Sequence, residues 1–208
     1  MSSLGALAGH RIVPVIVIDD PSHAVDLAHA LLSGAINCAE VTMRTPGALD
    51  ALRAMTSIDG FTAGAGTVRS IADWEAAVGA GASFCVCPGF DERIVERSLE
   101  SNVGVLPGIA TATELQRALQ AGVTTVKFFP ADRLGGLAGI RALSAPFPEI
   151  GFVPSGGVTA ESAAAYLAHP AVPAVSGSWM APRELIASRG FNEIARLSAE
   201  SVAAIRQL

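Results

Sequence analysis

The sequence predicts an α/β fold, and more narrowly a single-domain (β/α)8 (TIM) barrel over residues 1–208, closed by a C-terminal helix. Three observations lead there. Short apolar, β-branched runs alternate with amphipathic segments from one end of the chain to the other. Eight such runs recur at intervals of about 20 to 27 residues, each followed by a helical pattern. No linker, repeat or low-complexity segment divides them.

In chain order, a strand over 12–18 leads to a helix over 22–33, and a strand over 39–43 to a helix over 47–55. A strand over 62–67 precedes a helix over 71–79, which opens on the capping residue Ser70 and stops at Ala80-Gly81. The strand over 84–87 is followed by a helix over 92–101 capped by Asp91. The strand over 104–107 is followed by one over 112–120, capped by Thr111 and stopped at Ala121-Gly122. Strands over 125–129 and 151–154 precede helices over 136–143 and 160–168, the second capped by Thr159. A strand over 174–177 and an amphipathic stretch over 191–208 end the pattern. A doubly wound open sheet is the alternative. Its nucleotide fingerprint is not met, because Gly64-Ala65-Gly66-Thr67-Val68-Arg69 has Arg69 where the third glycine belongs.

Half of the residues are apolar and the net charge is -5, with no cluster of Lys and Arg, so nucleic acid is not an expected partner. No apolar run approaches the roughly 18 residues needed to span a membrane. Met1 to His10 lacks the basic region and long apolar core of a signal peptide, and the cysteine usage makes a reducing, cytoplasmic compartment the simplest expectation. Cys38, Cys85 and Cys87 read as small buried hydrophobes rather than a disulfide framework. Cys85 and Cys87 alternate with Val86, so both face one side of a strand, a hint that one of them touches a site.

Lys127 is the single lysine, in the apolar run Val126-Lys127-Phe128-Phe129-Pro130; the other basic residues are arginines. A lysine among apolar neighbours can lose its proton and attack a carbonyl, which arginine cannot do. Glu40, Thr42 and Arg44 follow the strand period of two, as do Lys127 and Phe129. If these faces point inward at the C-terminal ends of the strands, a carboxylate, a guanidinium and an amine converge. Arg44 then suits a substrate carboxylate and Glu40 a proton relay. A buried ion pair serving only the fold is the other reading.

Pro154-Ser155-Gly156-Gly157-Val158-Thr159 and Ser176-Gly177-Ser178 offer glycine-bearing loops after two strands, where backbone N–H groups approach an anion. The alternative is ordinary turn glycines. His10, His23, His29 and His169 lie in or beside helical segments, away from the strand C-terminal ends, so neither a metal site nor a Ser-His-Asp triad has its residues. Imine chemistry on a phosphorylated keto acid or sugar remains.

At these residues the sequence resembles the 2-keto-3-deoxy-6-phosphogluconate (KDPG) aldolases, which often also cleave 4-hydroxy-2-oxoglutarate (KHG). The motifs are Glu40-Val41-Thr42-Met43-Arg44-Thr45, Gly64-Ala65-Gly66-Thr67-Val68, Pro88-Gly89, Leu106-Pro107-Gly108 and Val126-Lys127-Phe128-Phe129-Pro130-Ala131, in order. The resemblance implies a class I aldolase of the Entner–Doudoroff pathway, a homotrimeric barrel with no metal or other cofactor. It implies that Lys127 forms the imine and Glu40 shuttles protons. Arg44 and Thr67 would hold the carboxylate, and Pro88 and Phe129 would line the pyruvate pocket. Ser155, Gly156, Gly157 and Ser178 would bind the distal part of the substrate and its phosphate.

Three positions depart from the family pattern. Ser155 stands where Thr is usual, Cys87 where Ser is usual and Ser176 where Gly is usual. Cys87 is expected to expose an oxidisable thiol beside the pocket, and Ser176 to add a side chain next to the phosphate loop. Relatives acting on the 6-phosphogalactonate epimer tend to carry Val at the position of Ser155 and to lack Arg44, so the chain sides with the gluconate enzymes. A phosphosugar isomerase or epimerase, and a non-catalytic metabolite binder, are the other classes; neither gives Lys127 a reason.

Overall fold

The architecture is that of a computed structural model, which describes residues 4–206. A short 3-10 turn, Gly5–Leu7, precedes β1 (Ile12–Ile16) and α1 (Ala24–Ser33). Then follow β2 (Cys38–Thr42), α2 (Ala48–Thr56), β3 (Thr62–Gly66), α3 (Ile71–Gly79), β4 (Phe84–Val86) and α4 (Glu92–Glu100). The second half holds β5 (Gly104–Leu106), β6 (Gly108–Ile109), α5 (Ala112–Gln120), β7 (Thr125–Phe128) and α6 (Gly136–Ser144). It ends with β8 (Gly151–Pro154), α7 (Ala160–Leu167), β9 (Val175–Gly177), α8 (Arg183–Ala187) and α9 (Phe191–Ile205). Residues 207–208 of the expected closing helix lie outside the described residues.

The strands form a curled parallel sheet in two segments, ordered β5-β4-β3-β2-β1-β9 and β6-β7-β8. The strand expected over 104–107 is divided at Pro107. Leu106 O accepts from Cys87 N–H at 3.1 Å, whereas Pro107 O accepts from Lys127 N–H at 2.8 Å. Successive carbonyls thus serve opposite neighbours, and the proline, with no N–H, marks the change. At the other seam β8 lies against β9, although among the described residues no ladder joins them.

Alternation divides each strand between two cores. On the concave face Val13, Cys38, Phe84, Val86, Leu106, Val153 and Ala174 pack on one another, and Leu7 plugs their lower end. The opposite faces pack under the helices, and Cys85 and Cys87 belong there. Gly64 makes the concave packing possible, since a Cβ on it would sit 2.4 Å from the Phe84 ring. Phe84 is fully buried, worth about 2 to 3 kcal/mol relative to exposure.

The helix ends follow local rules. Ser70, Asp91, Thr111 and Thr159 each cap a helix through the side-chain oxygen, the last two within capping boxes. At both expected stops the chain turns through a left-handed glycine, Gly81 (φ 93°) and Gly122 (φ 78°). Ala82 N–H reaches Ala77 O and Gly81 N–H reaches Val78 O, with the same pair of bonds from Val123 and Gly122 to Ala118 and Leu119. Among the described residues no helix is long and apolar enough to cross a membrane.

Candidate active site

The C-terminal ends of the strands surround a cavity of about 320 Å³, within the range of small-molecule sites. Its floor is polar. Lys127 rises from β7 on the concave side, while its neighbours Val126 and Phe128 pack under the helices. Lys127 Nζ donates to Glu40 Oε1 at 3.2 Å and lies 5.4 Å from the centre of the Phe129 ring. Lys127 is 7 % exposed and Glu40 is wholly buried.

Glu40 owes its seat to the adjacent strand. It pairs in register with Gly64, and a Cβ on Gly66 would lie 3.2 Å from the Glu40 carboxylate. Among the described residues Glu40 Oε2 has no hydrogen-bond partner, so one carboxylate oxygen is left to accept a proton or a water. Thr42, one turn of the pleat higher, donates its hydroxyl to Ile16 O at 2.8 Å. Arg44 leaves the strand through a tight turn in which its N–H reaches Thr42 O. It is exposed at the rim and makes no ion pair among the described residues.

Thr67 takes a left-handed conformation, φ 62°, which is costly for a β-branched residue. The ladder resumes immediately, with Val68 N–H bonded to Val86 O. On the far side, Ser155 is buried and is followed by left-handed Gly156 (φ 87°) and Gly157 (φ 74°). This loop is tied to the segment after Lys127, because Ala131 N–H donates to Ser155 O and Asp132 N–H to Gly156 O. Neither glycine tolerates a side chain: a Cβ would meet the Phe129 ring at 3.2 Å or Asp132 Cβ at 2.4 Å.

All ten residues singled out from sequence line this one cavity: Lys127, Glu40, Arg44, Thr67, Pro88, Phe129, Ser155, Gly156, Gly157 and Ser178. Val15, Thr42, Val158 and Gly177 line it as well. Of these Thr42 was visible in the period of its strand and Val158 and Gly177 in the two glycine-bearing loops, whereas Val15 is placed by tertiary structure alone. An amine beside a carboxylate at the base of a pocket can add to a carbonyl and move the protons that addition requires. A guanidinium on one wall and a glycine loop on the other can each receive an anion.

A family model described as KDPG and KHG aldolase matches residues 5–197. The chain belongs to the KDPG and KHG aldolase family. A protein of Treponema pallidum (strain Nichols) named 2-dehydro-3-deoxy-phosphogluconate aldolase is 43% identical over 198 residues, 95% of this chain and 94% of that one. The KHG/KDPG aldolase of Escherichia coli (strain K12) is 35% identical over 192 residues, 92% and 90% of the two chains. The crystal structure of a KDPG aldolase from Legionella pneumophila superimposes with a TM-score of 0.91 at 35% identity, covering 96% of this chain and 97% of that one. That structure holds pyruvate as a covalent carbinolamine intermediate.

Within this aldolase family frame, three expectations need correction. Cys87 does not present a thiol to the pocket: it is buried on the helix-facing side, and burial pushes its thiol well above the usual range. Its parity with Cys85 excludes it, since Phe84 and Val86 take the concave face. Ser176 does not flank the cavity either. It is buried in register with Val13, below the rim, with a hydroxyl that has no partner among the described residues. His23 lies on the strand-C-terminal side, near Val17 and Asp19, rather than away from it. It packs edge-on to Phe191, with Nε2 3.7 Å from Asp20, outside the cavity.

Proposed function

We propose that the chain is a class I aldolase, a carbon–carbon lyase that cleaves KDPG to pyruvate and D-glyceraldehyde 3-phosphate through an imine on Lys127. The observation that carries this reading is the buried Lys127–Glu40 contact at 3.2 Å on the floor of the only polar cavity that also holds Arg44 and the Ser155–Gly157 loop among the described residues. Lys127 Nζ adds to the C2 carbonyl, and the carbinolamine loses water to give an iminium that draws electrons from C3–C4. Removal of the C4 hydroxyl proton breaks that bond and releases the aldehyde. Glu40, directly or through a water, returns a proton to C3 of the enamine, and hydrolysis frees pyruvate.

Arg44 and Thr67 receive the carboxylate, Pro88 and Phe129 enclose the pyruvate carbons, and Ser155, Gly156, Gly157 and Ser178 receive the phosphate. Arg44 and the hydroxyl of Ser155 favour the gluconate over the galactonate epimer. The KHG activity named in the Escherichia coli relative supports cleavage of 4-hydroxy-2-oxoglutarate by the same site. The reading extends to a single (β/α)8 barrel over residues 1–208, with β5 and β6 as one strand and β8 closing on β9. A homotrimer, as the family resemblance implies, in the cytoplasm, as the cysteine usage suggests, completes it.

Borohydride reduction in the presence of pyruvate tests the imine. One irreversible pyruvate-derived adduct on the Lys127 peptide is expected, with none in Lys127→Ala. Folded wild-type protein that gains no adduct overturns the reading.

A further inference from the structure

We infer that Asp132 and Arg133 form an electrostatic pair that sets how strongly the site prefers a phosphorylated aldol, with Arg133 as a further binding residue for the distal phosphate. The inference rests on the aldolase reading above and assigns a role to two residues that reading leaves unused.

Among the described residues that line the cavity, none at the proposed phosphate end is a cation. Of the residues lining it, only Arg44 and Lys127 are basic. Lys127 is engaged by Glu40 and faces the reacting carbonyl, and Arg44 stands on the carboxylate side. Ser155, Gly156, Gly157 and Ser178 are neutral. A carboxylate, by contrast, is close at hand: a Cβ on Gly157 would sit 2.6 Å from Asp132 Cγ and 2.9 Å from Asp132 Oδ2. Asp132 is fixed there by its backbone, whose N–H donates to Gly156 O at 3.1 Å. Its charge is felt across this cluster, for the Tyr166 phenol is raised first by burial and then by Asp132.

Such a carboxylate repels a dianion arriving at the Gly156–Gly157 amides. Arg133 is the group that cancels it. Arg133 Nε lies 3.4 Å from Asp132 Oδ2, and its side chain is 83 % exposed at the edge of the cavity lining rather than within it; a guanidinium fork suits a phosphate. The short 3-10 turn Ala131–Leu134 that carries both residues follows directly from the Lys127 strand. Phosphate preference is therefore wired to the same segment that places the nucleophile.

Steady-state cleavage of KDPG and of 4-hydroxy-2-oxoglutarate, at low and high ionic strength, tests this. For Arg133→Ala the KM for KDPG is expected to rise about fivefold at low salt, the scale of one exposed charge contact, with kcat little changed. The effect shrinks at about 0.5 M salt, where the screening length is only a few ångströms. KM for 4-hydroxy-2-oxoglutarate, which has no phosphate, stays put. Arg133→Lys restores most of the loss, and Asp132→Asn lowers the KM for KDPG. An unchanged KM for KDPG in Arg133→Ala, an equal change for both substrates, or a higher KM in Asp132→Asn overturns the inference. Wild-type protein that cleaves neither substrate and traps no pyruvate defeats the aldolase reading instead.

Discussion

Replacing Lys127 by Met strands the Glu40 carboxylate, and the cost follows from the geometry. The charges are 3.2 Å apart with side chains 9 % and 1 % exposed. At an effective dielectric of about 20 their attraction is about 5 kcal/mol. Desolvating the two ions costs several kcal/mol each, so the pair as a whole contributes little net stability. Removing one partner is another matter. Among the described residues Glu40 Oε2 has no partner and Oε1 has only Lys127, which Lys127→Met takes away. A loss of about 3 to 5 kcal/mol is expected. The double variant Glu40→Leu with Lys127→Met removes both charges and is expected within about 1 kcal/mol of wild type, or above it. Urea unfolding at fixed protomer concentration, followed by circular dichroism, measures all three. A Lys127→Met protein as stable as wild type, or a double variant less stable than the single one, would refute the reasoning. If the double variant is stable and inactive, the pair is retained for chemistry rather than for the fold.

Thr67→Gly is expected to gain about 1 kcal/mol in the same assay, as relief of left-handed strain outweighs glycine's backbone entropy, while weakening pyruvate binding; Thr67→Ala, which keeps the strain, gains nothing. Burial first, offset in part by hydrogen bonds to Asn37 and Ala6, lowers His10 from its ordinary 6.5. The unfolded chain then takes up that proton earlier as the pH falls, so stability declines below about pH 6.5 toward the lower folded value, and His10→Asn flattens that slope in urea midpoints measured against pH. Burial raises the Cys38 and Cys85 thiols to about 12 and Cys87 further still. A thiol reagent at pH 8 should leave the native protein unmodified and react at all three in guanidinium; fast native labelling of Cys87 would return it to the pocket wall.

Much of this was legible because two periodicities are hard to disguise. The helices at Ile71–Gly79 and Ala112–Gln120 begin at a hydroxyl cap and end at a left-handed glycine, and both stand where those residues put them. The site was legible for a related reason: Glu40 and Lys127 are charged residues within strands that carry no other charge, Ser155 stands directly after an uncharged strand, and an inward face at the strand ends houses all three. What escaped had no local signal. The helix Arg183–Ala187 is a short segment after a loop, held by Arg183 against Asp19 across the chain. Pro107 announced a strand end but not that its carbonyl would serve the opposite neighbour. The face of Cys87 depended on which parity of β4 turns inward, and alternation alone is symmetric between the two.

Gly64 and Gly66 show how a pattern can be recorded in the sequence for a reason the sequence does not state. Read along the chain, Gly64-Ala65-Gly66 looks like an incomplete phosphate fingerprint, and neither glycine has a positive φ that would demand it. Read across the sheet, each glycine answers a neighbour: Gly64 makes room for the Phe84 ring and Gly66 for the Glu40 carboxylate and the Thr42 methyl. A parallel strand with its inward side chains deleted lets the carboxylate of the next strand lie against backbone, buried and within reach of Lys127. The burial of Glu40 is therefore a property of β3 as much as of β2. Any side chain at Gly66 would have to displace the group proposed to carry the proton.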